Sequence, residues 1–167
     1  GGTLLGCVRD KSIIKHDDDI DLGMLKDNFL YIQNNKNNII KDLNDNGLDL
    51  IKRGGELDHN KIMKLKKGND KNKIFIDIMS YDMDKDKYHH ASKENRKLWP
   101  DDYFKIDELF PLKKAMLNNL EIYIPNNPIK HLERFYGDCS SKDKKKCWKI
   151  PLHNVSHEHE INIDIKT

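Results

Sequence analysis

The chain has 167 residues, 35% of them charged, yet its formal net charge is only +2. That length suits one compact domain, with a lean core because 37% of the residues are hydrophobic. The near balance of charge excludes a nucleic-acid protein driven by bulk charge, and no apolar run approaches the roughly 18 residues that a membrane-spanning helix needs.

Three cysteines, Cys7, Cys139 and Cys147, do not form the even set of a disulfide framework. No signal peptide is visible. The first residue already lies inside a motif, so further chain is expected before Gly1, and the compartment stays open.

In chain order, Gly1 and Gly2 read as a turn, followed by a strand-like apolar start at Leu4 and Leu5 and then Arg9. Ile20 and Leu22 alternate with Asp19 and Asp21, the period of two that marks a strand with one apolar and one acidic face. Phe29, Ile32, Ile39, Ile40 and Leu43 recur at helical spacing, which predicts one helix over Lys26–Leu43 with Gly47 as its stop. Three strands are expected at Leu48–Arg53, Lys61–Lys66 and Lys73–Ser80, separated by Gly54-Gly55 and by Gly68-Asn69-Asp70. Residues 82–97 are polar and read as loop. Leu120–Ile124 reads as a strand, and Asn127 as the N-cap of a helix with Pro128 at its first position and Gly137 at its end.

The acidic stretch Asp17-Asp18-Asp19-Ile20-Asp21 carries the chemistry. Side chains two apart on a strand point the same way, so Asp19 and Asp21 project together. Their mutual repulsion in a partly dry site is costly unless a cation offsets it. Hard carboxylate oxygens suit Mg²⁺ or Mn²⁺, which take further ligands from water and substrate phosphates. Asp77, set between Ile76 and Ile78, is the candidate third acid, as a ligand or as a general base. A solvated acidic loop is the plainer reading of the same run. An EF-hand fails, because Leu22 and Asn28 stand where its loop needs Gly and Glu.

Beside the acids, Gly1, Gly2 and Thr3 could let a nucleotide phosphate approach the backbone. The plainer reading there is an ordinary turn. Arg9 offers a planar fork for two phosphate oxygens, against a simple salt bridge to the acidic run. Asn126 and Asn127, at a helix N-terminus, are candidates to face substrate, with ordinary capping as the alternative. Core packing is the expected role of Trp99 and Tyr136, ahead of stacking on a base or sugar. In the tail, Cys139, Cys147, His153 and His157 supply the ligand types of a zinc site. Seven residues between the cysteines match no finger or ribbon, and free thiols and solvated histidines are the expected reading.

The block GGTLLGCVRDKSIIKHDDDIDLGM resembles the signature of the LicD family, which includes fukutin and fukutin-related protein. Gly2 to Gly6, Arg9, Ile13-Ile14, Asp17, Asp19 and Asp21 carry the resemblance, while His16 stands where many members have Trp. Ile76–Asp82 and Leu109–Asp138 are similar to the family's later blocks. The resemblance covers residues 1–138 as a catalytic domain and leaves 139–167 as a separate Cys-, His- and Lys-rich tail.

The resemblance implies an α+β, nucleotidyltransferase-like fold, with a small mixed or antiparallel sheet and helices packed on the face away from the acids. It implies a phosphotransferase dependent on Mg²⁺ or Mn²⁺. The donor would be a CDP-activated alcohol carrying choline, ribitol or glycerol, the acceptor a glycan hydroxyl, and the leaving group CMP. Two alternatives stay open. One is a nucleotidyltransferase that adds a nucleoside monophosphate to a small acceptor. The other is a non-catalytic relic that binds metal or glycan.

Overall fold

A computed structural model describes residues 1–15, 17, 19–51, 63–67 and 75–137. His16, Asp18, both glycine-bearing hairpin separators and the Cys/His tail, including Cys139, Cys147, His153 and His157, lie outside the described residues.

The chain opens with helix α1 (Gly2–Arg9), where the sequence predicted a turn and a strand-like start. Glycine disfavours helix interiors. Packing overrides that preference here: Leu5 is fully buried against Ile14 and Leu132, with Leu4 and Val8 beside it. A Cβ at Gly6 would run into the backbone carbonyl of Ser12, so this helical glycine marks a close approach of two chain segments.

Strand β1 (Asp19–Leu25) follows, and then helices α2 (Lys26–Asn34) and α3 (Lys36–Asp45). The single helix expected over this stretch is broken at Asn35, whose side chain donates back to the carbonyl of Tyr31 and closes α2. Gly47 ends the pair with φ +74°, the left-handed conformation glycine adopts freely.

Strands β2 (Leu48–Ile51), β3 (Met63–Lys67) and β4 (Phe75–Asp84) overlap the three predicted strands. The region read as loop holds the end of β4, strand β5 (Lys87–His90) and helix α4 (Lys93–Leu98). Its signal was local. Ser92 caps α4 by accepting from the Asn95 backbone N–H, and the turn before β5 uses Lys85 at φ +60°. Strand β6 (Tyr103–Lys105), the short helix α5 (Ile106–Leu109), the hairpin β7 (Lys113–Leu117) and β8 (Leu120–Ile124), and helix α6 (Pro128–Tyr136) complete the described chain. α6 begins after Asn127 with Pro128 at its first position and stops at Gly137, as its sequence predicts.

The architecture is α+β, with one mixed six-stranded sheet and a separate two-stranded hairpin. The path β2-β3-β4-β5-β6 is antiparallel, while β1 runs parallel along β4. β4 is the hub. Tyr81 pairs with Leu25 on one edge and His90 on the other, and Ile78 with Leu22 and Met63.

Alternation along β4 gives its two faces different neighbours. Ile78 joins Phe29 and Leu65, with Met24, Ile32, Leu43, Leu50 and Ile76 around them, so α2 and α3 cover this side. Met79 and Tyr81 join Phe104 on the other side, where Leu4 of α1 and Leu109 pack. α2 and α3 therefore take the face away from the acids, as expected, and α1 lies over the acid face as well.

Candidate active site

Residues opposite each other in a sheet project to the same side. The parallel register of β1 on β4 sets Asp21 opposite Asp77, and the antiparallel register of β3 sets Lys64 opposite Asp77. Lys64, Asp77 and Asp21 thus form one rung across three neighbouring strands. Asp19 precedes Asp21 by two positions and shares its side, paired with Phe75.

Two contacts fix Asp21. Its backbone N–H donates to Thr3 Oγ1 at 2.8 Å, and its carboxylate lies against the α carbon of Gly1, where any Cβ would overlap Oδ2. Gly1 is the N-cap of α1. The first turn of that helix, with its unsatisfied N–H groups, therefore opens beside the acid, an arrangement that also favours an incoming anion. Gly1, Gly2 and Thr3 are consequently at the acids, but as a helix start and not as the expected turn.

Asp77 is buried, with its side chain 12% exposed, and Lys64 Nζ lies 2.9 Å from Oδ1. That contact is coulombic. Oδ1 has no hydrogen bond of good geometry among the described residues. The lysine is itself only 16% exposed, and its ammonium sits 4.4 Å from the centre of the Phe75 ring.

Among the described residues no three His, Cys, Asp or Glu side chains converge closely enough to hold a metal ion. Two hard carboxylates in register, beside a helix N-terminus, nevertheless fit Mg²⁺, which commonly takes one or two carboxylates and completes its shell with water and substrate phosphates.

The other predicted residues are dispersed. Arg9 stands at the far end of α1, about 12 Å of helix from Gly1, and Asp10 holds its guanidinium through contacts of 2.6–3.0 Å. Asn126 donates from its side chain to the Asp107 carbonyl, and its backbone and that of Asn127 donate to Leu109 and Glu108. These bonds tie the start of α6 to α5. Both asparagines also line a cleft of about 830 Å³ with Lys11, Lys113, Lys114 and Met116, at the end of α1 away from Asp21. Trp99 and Tyr136 pack as expected, Trp99 5.5 Å from the His90 ring and Tyr136 against the Leu5, Ile14 and Leu132 cluster. Burial and then the charges of Asp21 and Asp17 raise the Tyr136 phenol, so it stays protonated near the acids.

A second polar group lies four residues further along β4. Asp102 Oδ2 accepts from Tyr81 at 3.1 Å and meets His90 Nε2 at 2.8 Å, all three buried. Burial, the largest single influence, opposes its charge, but the His90 hydrogen bond and the neighbouring positive charges together outweigh it and hold the carboxyl at about 2. His131 Nδ1 lies 3.1 Å from the Tyr103 carbonyl and must donate there, which leaves its Nε2 lone pair facing Asp102 Oδ1 at 3.7 Å. Burial lowers His131 to about 4 despite the nearby carboxylate, so the ring is neutral at pH 7.

Neither Lys64 nor this cluster stood out in the sequence. Lys64 and Lys66 alternate with Leu65, which marks one face of a strand, but nothing local says that Asp77 is the neighbour.

The family description "LicD/FKTN/FKRP, nucleotidyltransferase domain" matches residues 1–127. The chain belongs to the LicD family. It is 33% identical over 137 residues to an uncharacterized protein of Rickettsia typhi, covering 82% of this chain and 38% of that protein. It is 30% identical over 137 residues to an uncharacterized protein of Rickettsia prowazekii, covering 82% of this chain and 46% of that one. The chain thus spans less than half the length of these relatives. No helix among the described residues is long and apolar enough to cross a membrane.

Proposed function

We propose that this LicD-family chain is the catalytic domain of a phosphotransferase dependent on Mg²⁺ or Mn²⁺. It would move a phosphoryl-alcohol unit from a CDP-activated alcohol to a glycan hydroxyl and release CMP. The observation that carries the reading is the rung: Asp21 and Asp77 opposite each other on adjacent parallel strands, with the first turn of α1 beside them.

Asp21 and Asp77, with Asp19 on the same side, would hold the cation. Bound there, it would offset the charge of the donor diphosphate as the P–O bond to CMP breaks. The start of α1 favours the same diphosphate through its N–H groups, which fixes the phosphorus relative to the incoming oxygen. The acceptor oxygen bonds to phosphorus as the bond to CMP breaks and gives up its proton to a base; Asp77 takes that role only if Asp19 and Asp21 hold the cation without it. Asn126 and Asn127, in their lysine-lined cleft, would face a part of the donor or acceptor remote from the transferred phosphorus, and Arg9 would reach a phosphate only on leaving Asp10.

The family's description as a nucleotidyltransferase domain also favours a second reading, a nucleotidyltransferase that consumes a nucleoside triphosphate and releases pyrophosphate. One assay separates the two. CDP-choline, CDP-ribitol and CDP-glycerol are offered with Mg²⁺ and glycan acceptors, beside free nucleoside triphosphates. CMP release from a CDP-alcohol supports the first reading, and pyrophosphate release with no CMP replaces it with the second.

A further inference from the structure

We infer that Lys64 is a placeholder cation: in the metal-free protein it holds Asp77 in the position of a ligand, and an incoming divalent ion displaces it. The inference rests on the metal site of the proposed function and adds to it a residue that no family block contains.

Asp21 and Asp77 are register neighbours on one side of the sheet, so two like charges face each other where water is scarce. Such a pair repels unless a cation lies close. Lys64 supplies that cation from the third strand of the same rung, with Nζ 2.9 Å from Asp77 Oδ1. Lys64 makes no hydrogen bond of good geometry to Asp77 Oδ1, and its other contact is the face of Phe75, an interaction that an ammonium leaves easily. The side chain is long, flexible and a point charge, so it can vacate Oδ1 without moving β3.

The consequence is a competition. Metal binding must break the Lys64–Asp77 contact, so removing the lysine should raise metal affinity even as it weakens the metal-free protein. A purely structural lysine predicts the reverse, because its loss would disorder Asp77 and weaken metal binding.

The test is calorimetric titration of Mn²⁺ into the wild-type chain, K64M and K64Q without nucleotide. At least tenfold tighter Mn²⁺ binding by K64M, together with a lower melting temperature that Mn²⁺ restores, is the expected result. Equal or weaker binding by folded K64M and K64Q overturns the placeholder role and leaves the metal site standing. No Mn²⁺ binding by any of the three overturns both. A measurement on the unmodified protein covers the case in which the variants fail to fold. Acetylation of Lys64 by an amine-reactive ester, followed by mass spectrometry, should accelerate severalfold on adding Mn²⁺ while exposed Lys67 does not change. An unchanged Lys64 rate overturns the inference.

Discussion

Two buried carboxylates on the same side of the sheet are treated differently. Asp102 is gripped through one oxygen by Tyr81 and His90, with the His131 ring stacked on Phe104 beside it, and its charge is stabilised down to about 2. Asp77 has a single lysine at 2.9 Å and no well-formed hydrogen bond among the described residues. The first arrangement is a hydrogen-bonded cluster that joins Tyr81 of β4 and His90 of β5 to one oxygen of Asp102, with His131 of α6 beside it, while Asp102 Oδ1 has no hydrogen bond among the described residues. The second leaves lone pairs for a ligand that the fold does not itself supply. The difference lies in polar anchoring: two hydrogen-bond partners hold Asp102 Oδ2, whereas a single ammonium meets Asp77, which has a second carboxylate in register beside it.

The sharpest way to break this contrast is to substitute within each group. Asp21→Asn keeps the shape and the Thr3 hydrogen bond to the backbone, so melting should shift little, while CMP release should fall about a thousandfold or more. Activity within tenfold of wild type would remove Asp21 from the chemistry. Asp102→Asn should do the opposite. Weakening the acceptor shared by Tyr81 and His90 should cost about 3 kcal/mol in denaturant unfolding, with kcat unchanged in the fraction that remains folded.

The pH dependence follows from His131. Its folded value of about 4 lies below the ordinary 6.5, so the unfolded chain binds the extra proton between those values. Stability is complete above pH 6.5 and should fall by about 3 kcal/mol on acidification toward pH 4. His131→Asn should flatten that window while lowering stability at pH 7. The smallest effect is expected at Lys114–Glu121, a pair at 2.7 Å whose side chains are 59% and 56% exposed. Glu121→Gln should change unfolding free energy by less than about 0.5 kcal/mol, a value that vanishes in high salt.

How much of this was readable beforehand depended on the range of the signal. β1 announced itself through Ile20 and Leu22 alternating with the aspartates, and α6 through Asn127, Pro128 and Gly137, because those signals lie within a few residues of one another. α1 was missed because GGTLLGCVR carries three glycines, and only burial of Leu5 against Ile14 and Leu132 makes the helix worthwhile. β5 and α4 were missed because a polar segment with few apolar residues looks like loop when its partners, Ser80 and Phe104, are not yet in view.

At the site, the sequence singled out Asp19, Asp21 and Asp77; the register places Asp21 beside Asp77 with Asp19 two positions earlier on the same side, and the three do not converge into one cluster among the described residues. Lys64, the Thr3 hydroxyl and the Asp102 cluster depend on pairings between distant segments, for which a single sequence holds no marker. The same long-range packing set the two asparagines against α5, and Arg9 meets the adjacent Asp10.

The pleat of β1 joins fidelity of assembly to fidelity of chemistry. Met24 points into the apolar layer by the same alternation that turns Asp21 toward Asp77. A slip of one position would thrust carboxylates among Phe29 and Ile78 and expel the methionine, so a mispaired strand is rejected by oil-and-water sorting before any substrate could report the mistake. Quality control of the Asp21–Asp77 register thus resides on the opposite, apolar side of the sheet.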